Sequence, residues 1–212
     1  MYRSAIARGH DGVLCLVTDR RRLCSETVAF EVARRRLIDQ AKWAVTSNVD
    51  LIQVRERDLE TADLARLVSD LVRVTRGSGT RVVVNDRIDV ALACGADGVH
   101  LRHDSVRAET VRTIAPAGFL VGRSVHGLAE AEGAGPVDYL IAGAVFPTSS
   151  KPSAAMLGLD GLAEVVQAVA VPVLAIGGIT RERLDEVAAT GAAGAAGIGL
   201  FIEWFDRLET PS

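Results

Sequence analysis

Two arginines two residues apart close the segment Ile52-Gln53-Val54-Arg55-Glu56-Arg57. In extended chain successive side chains alternate, so Gln53, Arg55 and Arg57 share one face and aim two guanidiniums the same way. Such a pair is an anion clamp for phosphate or carboxylate. The alternative is a solvated edge in which the arginines pair with Glu56 and Asp58. Asn85 and Asp86 end another apolar run with an amide and a carboxylate. One carboxylate plus substrate phosphate oxygens can hold Mg²⁺, whereas the plainer role for Asp86 is to cap the helix that follows. Asp104 is placed to supply a second oxygen.

The run Gly122-Arg123-Ser124-Val125-His126 puts Gly122, Ser124 and His126 on one side by the same alternation. His126 is the acid/base candidate, because imidazole titrates near neutral pH and can take a proton from one atom and return it to another. A loop histidine capping a carbonyl is the alternative. The segment Thr148-Ser149-Ser150-Lys151 is rich in hydroxyls and ends on a lysine, a composition that can wrap a phosphate or serve as an ordinary polar connection. Gly177-Gly178 and Gly197-Ile198-Gly199 would let backbone amides approach an anion closely. His100, inside an apolar run, reads as a satisfied core residue, and His10 and His103 carry no special signal.

These residues need elements to position them. Eight short apolar runs recur along the chain: 13–17, 50–54, 81–85, 98–101, 119–122, 139–146, 171–178 and 194–201. They are continuous rather than alternating, as strands buried on both faces are. Segments of helical period lie between them, at 27–45, 61–76, 88–94, 106–114, 128–132, 159–168 and 181–190, with a last helix expected from Glu203. Asp160 and Thr180 are placed to cap helix starts, and Gly95 and Gly191 to stop helices. Eight strand–helix units without a linker predict an α/β fold, a single (β/α)8 TIM barrel over residues 1–212 with its core at about 13–201, rather than an open doubly wound sheet. No GxGxxG follows the first strand, which argues against a dinucleotide fold. In such a barrel the chemistry gathers at the carboxyl ends of the strands, where every candidate above falls, and phosphate sites recur after strands seven and eight.

The 212 residues are 49% hydrophobic and 24% charged, which excludes disorder as the main state. Lys and Arg number 24 against 27 Asp and Glu, so the net charge of −3 provides no global field to collect nucleic acid. No apolar run is long enough to span a membrane, and the start of the chain lacks a signal core, so a cytoplasmic location is expected. Cys15, Cys24 and Cys94 fit neither a disulfide framework nor a CxxC motif and read as reduced structural thiols.

Together the segments IQVRER, VVVND, GADGVHL, VGRSVH, GAVFPTSSK and AIGGIT resemble the thiamine phosphate synthase and thiazole tautomerase (TenI) superfamily, from Val13 to about Phe201. The resemblance implies the barrel and a thiazole phosphate as substrate, with a homo-oligomer by analogy. For the synthase branch, which condenses hydroxymethylpyrimidine diphosphate with the thiazole phosphate using Mg²⁺, it carries the binding and catalytic roles onto Gln53, Arg55, Asn85 and Ser124. It further carries the first metal aspartate onto Asp86, the diphosphate loop onto Thr148, Ser150 and Lys151, and the phosphate glycines near Gly178 and Gly197. Two departures stand out: Arg57 where that branch has lysine, and Ser105 where its second metal aspartate is expected. Arg-Glu-Arg and GRSVH are similar to the tautomerase branch, which needs no metal. There His126 would move the proton that aromatises a carboxylated thiazole phosphate, with Arg55, Arg57 or Lys151 holding the carboxylate. That branch is the leading expectation, the synthase is the alternative, and a non-catalytic thiazole-phosphate binder is the third.

Overall fold

Alternate residues of each apolar run face different cores, and this makes the strands. The structure, a computed structural model, describes residues 12–148 and 156–209. Its strands are β1 (Val13–Val17), β2 (Leu51–Val54), β3 (Arg81–Asn85), β4 (Gly98–Leu101), β5 (Leu120–Val125), β6 (Tyr139–Gly143), β7 (Val173–Ile176) and β8 (Gly194–Gly197). Each pairs in parallel with its neighbour, and β1 closes on β8 with Val13 opposite Gly194 and Leu16 opposite Gly197. The result is a closed eight-stranded (β/α)8 barrel.

Cys15, Val17, Leu51, Val83, Tyr139, Ile141, Leu174 and Ala196 fill its interior. Leu14, Leu16, Ile52, Val82 and Val84 point the other way, into the layer under the helices. Burial on both faces is why these runs show no polar alternation. It also pushes the Cys15 thiol up to about 12, so it stays protonated and inert, as expected of a structural cysteine.

The helices are α1 (Arg20–Leu23), α2 (Phe30–Thr46), α3 (Thr61–Thr75), α4 (Ile88–Ala93), α5 (Ala108–Ile114), α6 (Leu128–Glu132), α7 (Gly158–Ala168), α8 (Leu184–Ala189) and α9 (Gly199–Glu209), with a 3₁₀ turn at Arg181–Arg183. In α3, Leu64, Leu67, Val68 and Leu71 recur at helical spacing and are buried against the sheet. Each such side chain contributes about 1.5–3 kcal/mol of transfer free energy. Among the described residues no helix is long and apolar enough to cross a membrane.

Several boundaries differ from expectation. The chain after β1 forms α1, whose start is capped by the Asp19 carboxylate accepting from the Arg22 N–H at 3.1 Å; the second helix begins at Phe30 rather than Thr27. Asp160 caps nothing, since α7 already begins at Gly158. Thr180 does precede the 3₁₀ turn but makes no side-chain bond to its backbone. The last strand ends at Gly197, and the last helix starts at Gly199, four residues before Glu203. Periodicity cannot divide a short apolar stretch such as Gly-Ile-Gly-Leu-Phe between strand and helix. β5 instead runs on to Val125, placing Ser124 on the strand itself.

Candidate active site

The carboxyl ends of the strands surround a cavity of about 720 Å³. Gln53, Arg55, Arg57, Asn85, Ser124, His126, Thr148, Gly177, Gly178, Gly197 and Ile198 all line it. Ser150 and Lys151 lie outside the described residues.

On the β2 side, Gln53 Nε2 donates to Asn85 Oδ1 at 2.9 Å, and the Arg55 N–H donates to Thr18 Oγ1 at 3.0 Å, tying the ends of β1, β2 and β3 together. The neighbouring carboxylates are taken by α1. Arg20 reaches buried Glu56 at 3.0 Å, and Asp58 pairs with both Arg20 and Arg21. Among the described residues Arg55 and Arg57 form no salt bridge, so the arrangement favours the clamp over the solvated edge. Burial, followed by the charge of Arg57, lowers the pKa of the Arg55 guanidinium.

On the β5 side, Ser124 Oγ lies 2.8 Å from His100 Nε2, and His100 Nδ1 lies 3.2 Å from the Tyr139 hydroxyl. His100 is indeed a satisfied core residue, and burial together with the charge of Arg123 pushes it down to about 3, so the ring is neutral. If Tyr139 donates to Nδ1, the Nε2–H donates to Ser124 and leaves the serine proton for a ligand; the opposite tautomer uses that proton internally. Gly122 makes room for this arrangement, because a Cβ there would lie 2.2 Å from the Tyr139 ring. His126 sits at the rim, its side chain 38% exposed. Glu130 Oε2 accepts both its backbone N–H at 2.8 Å and its Nδ1 at 3.0 Å. A carboxylate on Nδ1 turns Nε2 into the free acceptor of the neutral ring, the state a general base needs. His103 packs edge-on against His126, with ring centroids 4.7 Å apart.

Across the cavity, Gly177 and Gly178 have φ of +99° and +63°, and a Cβ on Gly178 would lie 2.4 Å from the Pro147 carbonyl oxygen. Glycine is therefore required for this close approach of the β6 and β7 ends. Arg183 NH1 donates to the Gly178 carbonyl at 2.9 Å while its guanidinium lies 4.3 Å from the centre of the Phe146 ring.

The donor set for Mg²⁺ departs from the sequence expectation. Asp86 does not cap α4, whose N-cap is Arg87. Its carboxylate accepts the Ser105 hydroxyl through Oδ1 and faces Arg102 NH1 at 3.7 Å through Oδ2. Asp104 does not join it: that side chain is exposed, 49%, and paired with Arg102. Among the described residues no group of three or more His, Cys, Asp or Glu is arranged to hold a metal ion. Magnesium needs open carboxylate oxygens beside its waters and phosphate ligands. The residues present do not fit it.

Sequence reasoning missed four cationic or imidazole groups of the lining, Arg22, Arg102, His103 and Arg183. Arg102 and His103 follow β4 directly, so the rule that singled out Asn85 and Asp86 after β3 would have found them. Among the described residues five arginines and two histidines line the cavity against one carboxylate, Glu203. The fold and this cup define a (β/α)8 barrel protein with a cationic cavity at its carboxyl face.

The chain belongs to the thiamine monophosphate synthase family, whose model matches residues 14–201. It is 45% identical over 165 residues to a thiamine-phosphate synthase of Methanoregula boonei, covering 76% of each chain. It is 41% identical to one from Pyrococcus horikoshii over 79% of this chain and 83% of that one. Among solved structures, thiamine phosphate pyrophosphorylase from Pyrococcus furiosus superposes with a TM-score of 0.75 at 32% identity, covering 94% of this chain and 97% of that one. Membership places the chain among the enzymes of thiamine biosynthesis.

Proposed function

We propose that the protein condenses a hydroxymethylpyrimidine diphosphate with a thiazole phosphate, the synthase reaction that the resemblance implies and that fits relatives named thiamine-phosphate synthase, rather than the tautomerisation that the GRSVH segment favours. In this step a new bond joins the pyrimidine methylene carbon to the thiazole ring nitrogen. The C–O bond to the diphosphate breaks, and the diphosphate leaves with the electron pair.

One observation carries this reading. The cavity carries arginines at the ends of β2 and β4 and glycine backbone at the ends of β7 and β8, across a closed barrel, which suits two anionic groups. Two phosphorylated substrates need two such sets of donors, brought together at a distance where reaction becomes effectively unimolecular. Arg55 and Arg57 hold the diphosphate. The amides at Gly178 and Gly197 hold the thiazole phosphate, and Gln53, Asn85 and Ser124 orient the rings between them.

The tautomerase remains the second reading because His126, its ring set by Glu130, stands at the rim with a free nitrogen. Incubating the purified protein with both phosphorylated substrates should give thiamine phosphate and inorganic diphosphate, followed by chromatography. Incubation with the carboxylated ylidene thiazole phosphate alone should leave it unchanged. Proton shift in the second incubation without product in the first would reverse the order, and His126→Ala should then cut that shift by about 10². Binding with neither product would leave a thiazole-phosphate binder.

A further inference from the structure

The turn after β4 is built around one hydroxyl. Ser105 Oγ accepts the Arg102 backbone N–H at 3.1 Å and donates to Asp86 Oδ1. The Arg102 side chain is thereby set over Asp86, with NH1 3.7 Å from Oδ2 and NH2 on Asp104. It borders both the main cavity and a side cleft of about 190 Å³ that Arg57, Asn85 and Asp86 also line. Below the turn, Arg123 NH2 donates to the Val106 carbonyl at 2.6 Å and anchors the loop to β5. A guanidinium therefore faces the second oxygen of Asp86 at the border of the two cavities.

We propose that Arg102 joins Arg55 and Arg57 as a diphosphate-binding cation of this chain, doing at Asp86 what a divalent ion would otherwise do, so that the diphosphate is held without metal. The inference rests on the condensation reading and deepens it. A guanidinium carries five N–H donors in one plane, and the two carboxylates engage only part of them. The rest of the fork remains for phosphate oxygens, with Arg57 beside it. A divalent ion brought to Asp86 would have to displace both the Ser105 hydroxyl and the Arg102 charge. Neutralising Asp86 and Asp104 is the competing role for Arg102, and it predicts no effect on anion binding.

Calorimetric titration with inorganic pyrophosphate, first with EDTA and then with excess Mg²⁺, separates the two. The protein should bind pyrophosphate in EDTA, with less than a threefold gain on adding Mg²⁺. Arg102→Ala should weaken metal-free binding at least tenfold, and Arg102→Lys, which keeps the charge but not the fork, by less. A double variant, Arg102→Gly with Ser105→Asp, should bind weakly in EDTA and gain at least tenfold from Mg²⁺. Arg102 is 44% exposed, so replacing it alone leaves the fold intact, and thermal melts check the double variant, which loses the Ser105 hydroxyl of the turn. Binding only in Mg²⁺, an Arg102→Ala variant equal to the parent in EDTA, or a double variant indifferent to Mg²⁺ would each overturn the proposal. Metal-free, Arg102-dependent pyrophosphate binding in a protein that forms no thiamine phosphate would support it and sink the condensation reading instead.

Discussion

His100 lies beneath the cavity floor with both ring nitrogens engaged, and its neutrality links the site to folding stability. The unfolded chain takes up this proton near pH 6.5, the folded one only near 3, because burial and then the charge of Arg123 disfavour imidazolium. Between those values the unfolded state holds the extra proton, so stability falls as the pH drops, by up to about 1.4 kcal/mol per pH unit. Urea unfolding between pH 6.5 and 4 should show this slope, and His100→Gln, which keeps one hydrogen bond, should flatten it. Identical slopes would mean that the ring is protonated inside the fold. The same residue positions Ser124, so acid weakens the fold at the point where it supports the cavity.

The loop between β7 and the 3₁₀ turn presents its backbone only because two consecutive glycines take the left-handed region. Gly178→Ala adds about 1–2 kcal/mol of backbone strain and drives a methyl into the Pro147 carbonyl. We expect a lower melting temperature together with at least tenfold weaker inorganic phosphate binding by calorimetry. Gly95→Ala, at φ +67° in open space after α4, carries the strain without the collision and should leave phosphate binding unchanged. Elements of this kind were legible where burial decides them. Leu14 and Cys15 face different cores, so an uninterrupted apolar run could mean only a strand covered on both sides. Alternation likewise carried Arg55, Arg57 and Ser124 to the mouth. It could not reach Arg22 or Arg183, which lie on helical turns past the strand ends, where packing rather than period sets direction; Arg183 owes its place to the Phe146 ring. Nor could it show that Ser105 would turn its hydroxyl onto Asp86, since that bond depends on the folded-back turn after β4.

At the scale of the whole molecule, a chain of net charge −3 collects five arginines, among the described residues, around one opening. Of these, Arg102 is paired with Asp86 and Asp104, and elsewhere arginines are largely paired with carboxylates, as Arg87 with Asp89, while Arg55 and Arg57 form no salt bridge among the described residues. The mouth is therefore a local positive field on a weakly negative body, and a phosphorylated ligand is drawn to the opening rather than to the surface at large. Screening reaches such a field readily, because the Debye length shrinks from about 30 Å at 0.01 M salt to about 8 Å at 0.15 M. Exposed ion pairs contribute only about 0–1 kcal/mol each, so salt should change the fold much less. Stopped-flow measurement of phosphate-ester binding should show the association rate falling at least threefold across that range while the urea midpoint hardly moves. An association rate flat in salt would mean that contact at close range, and not the field of the opening, captures the ligand.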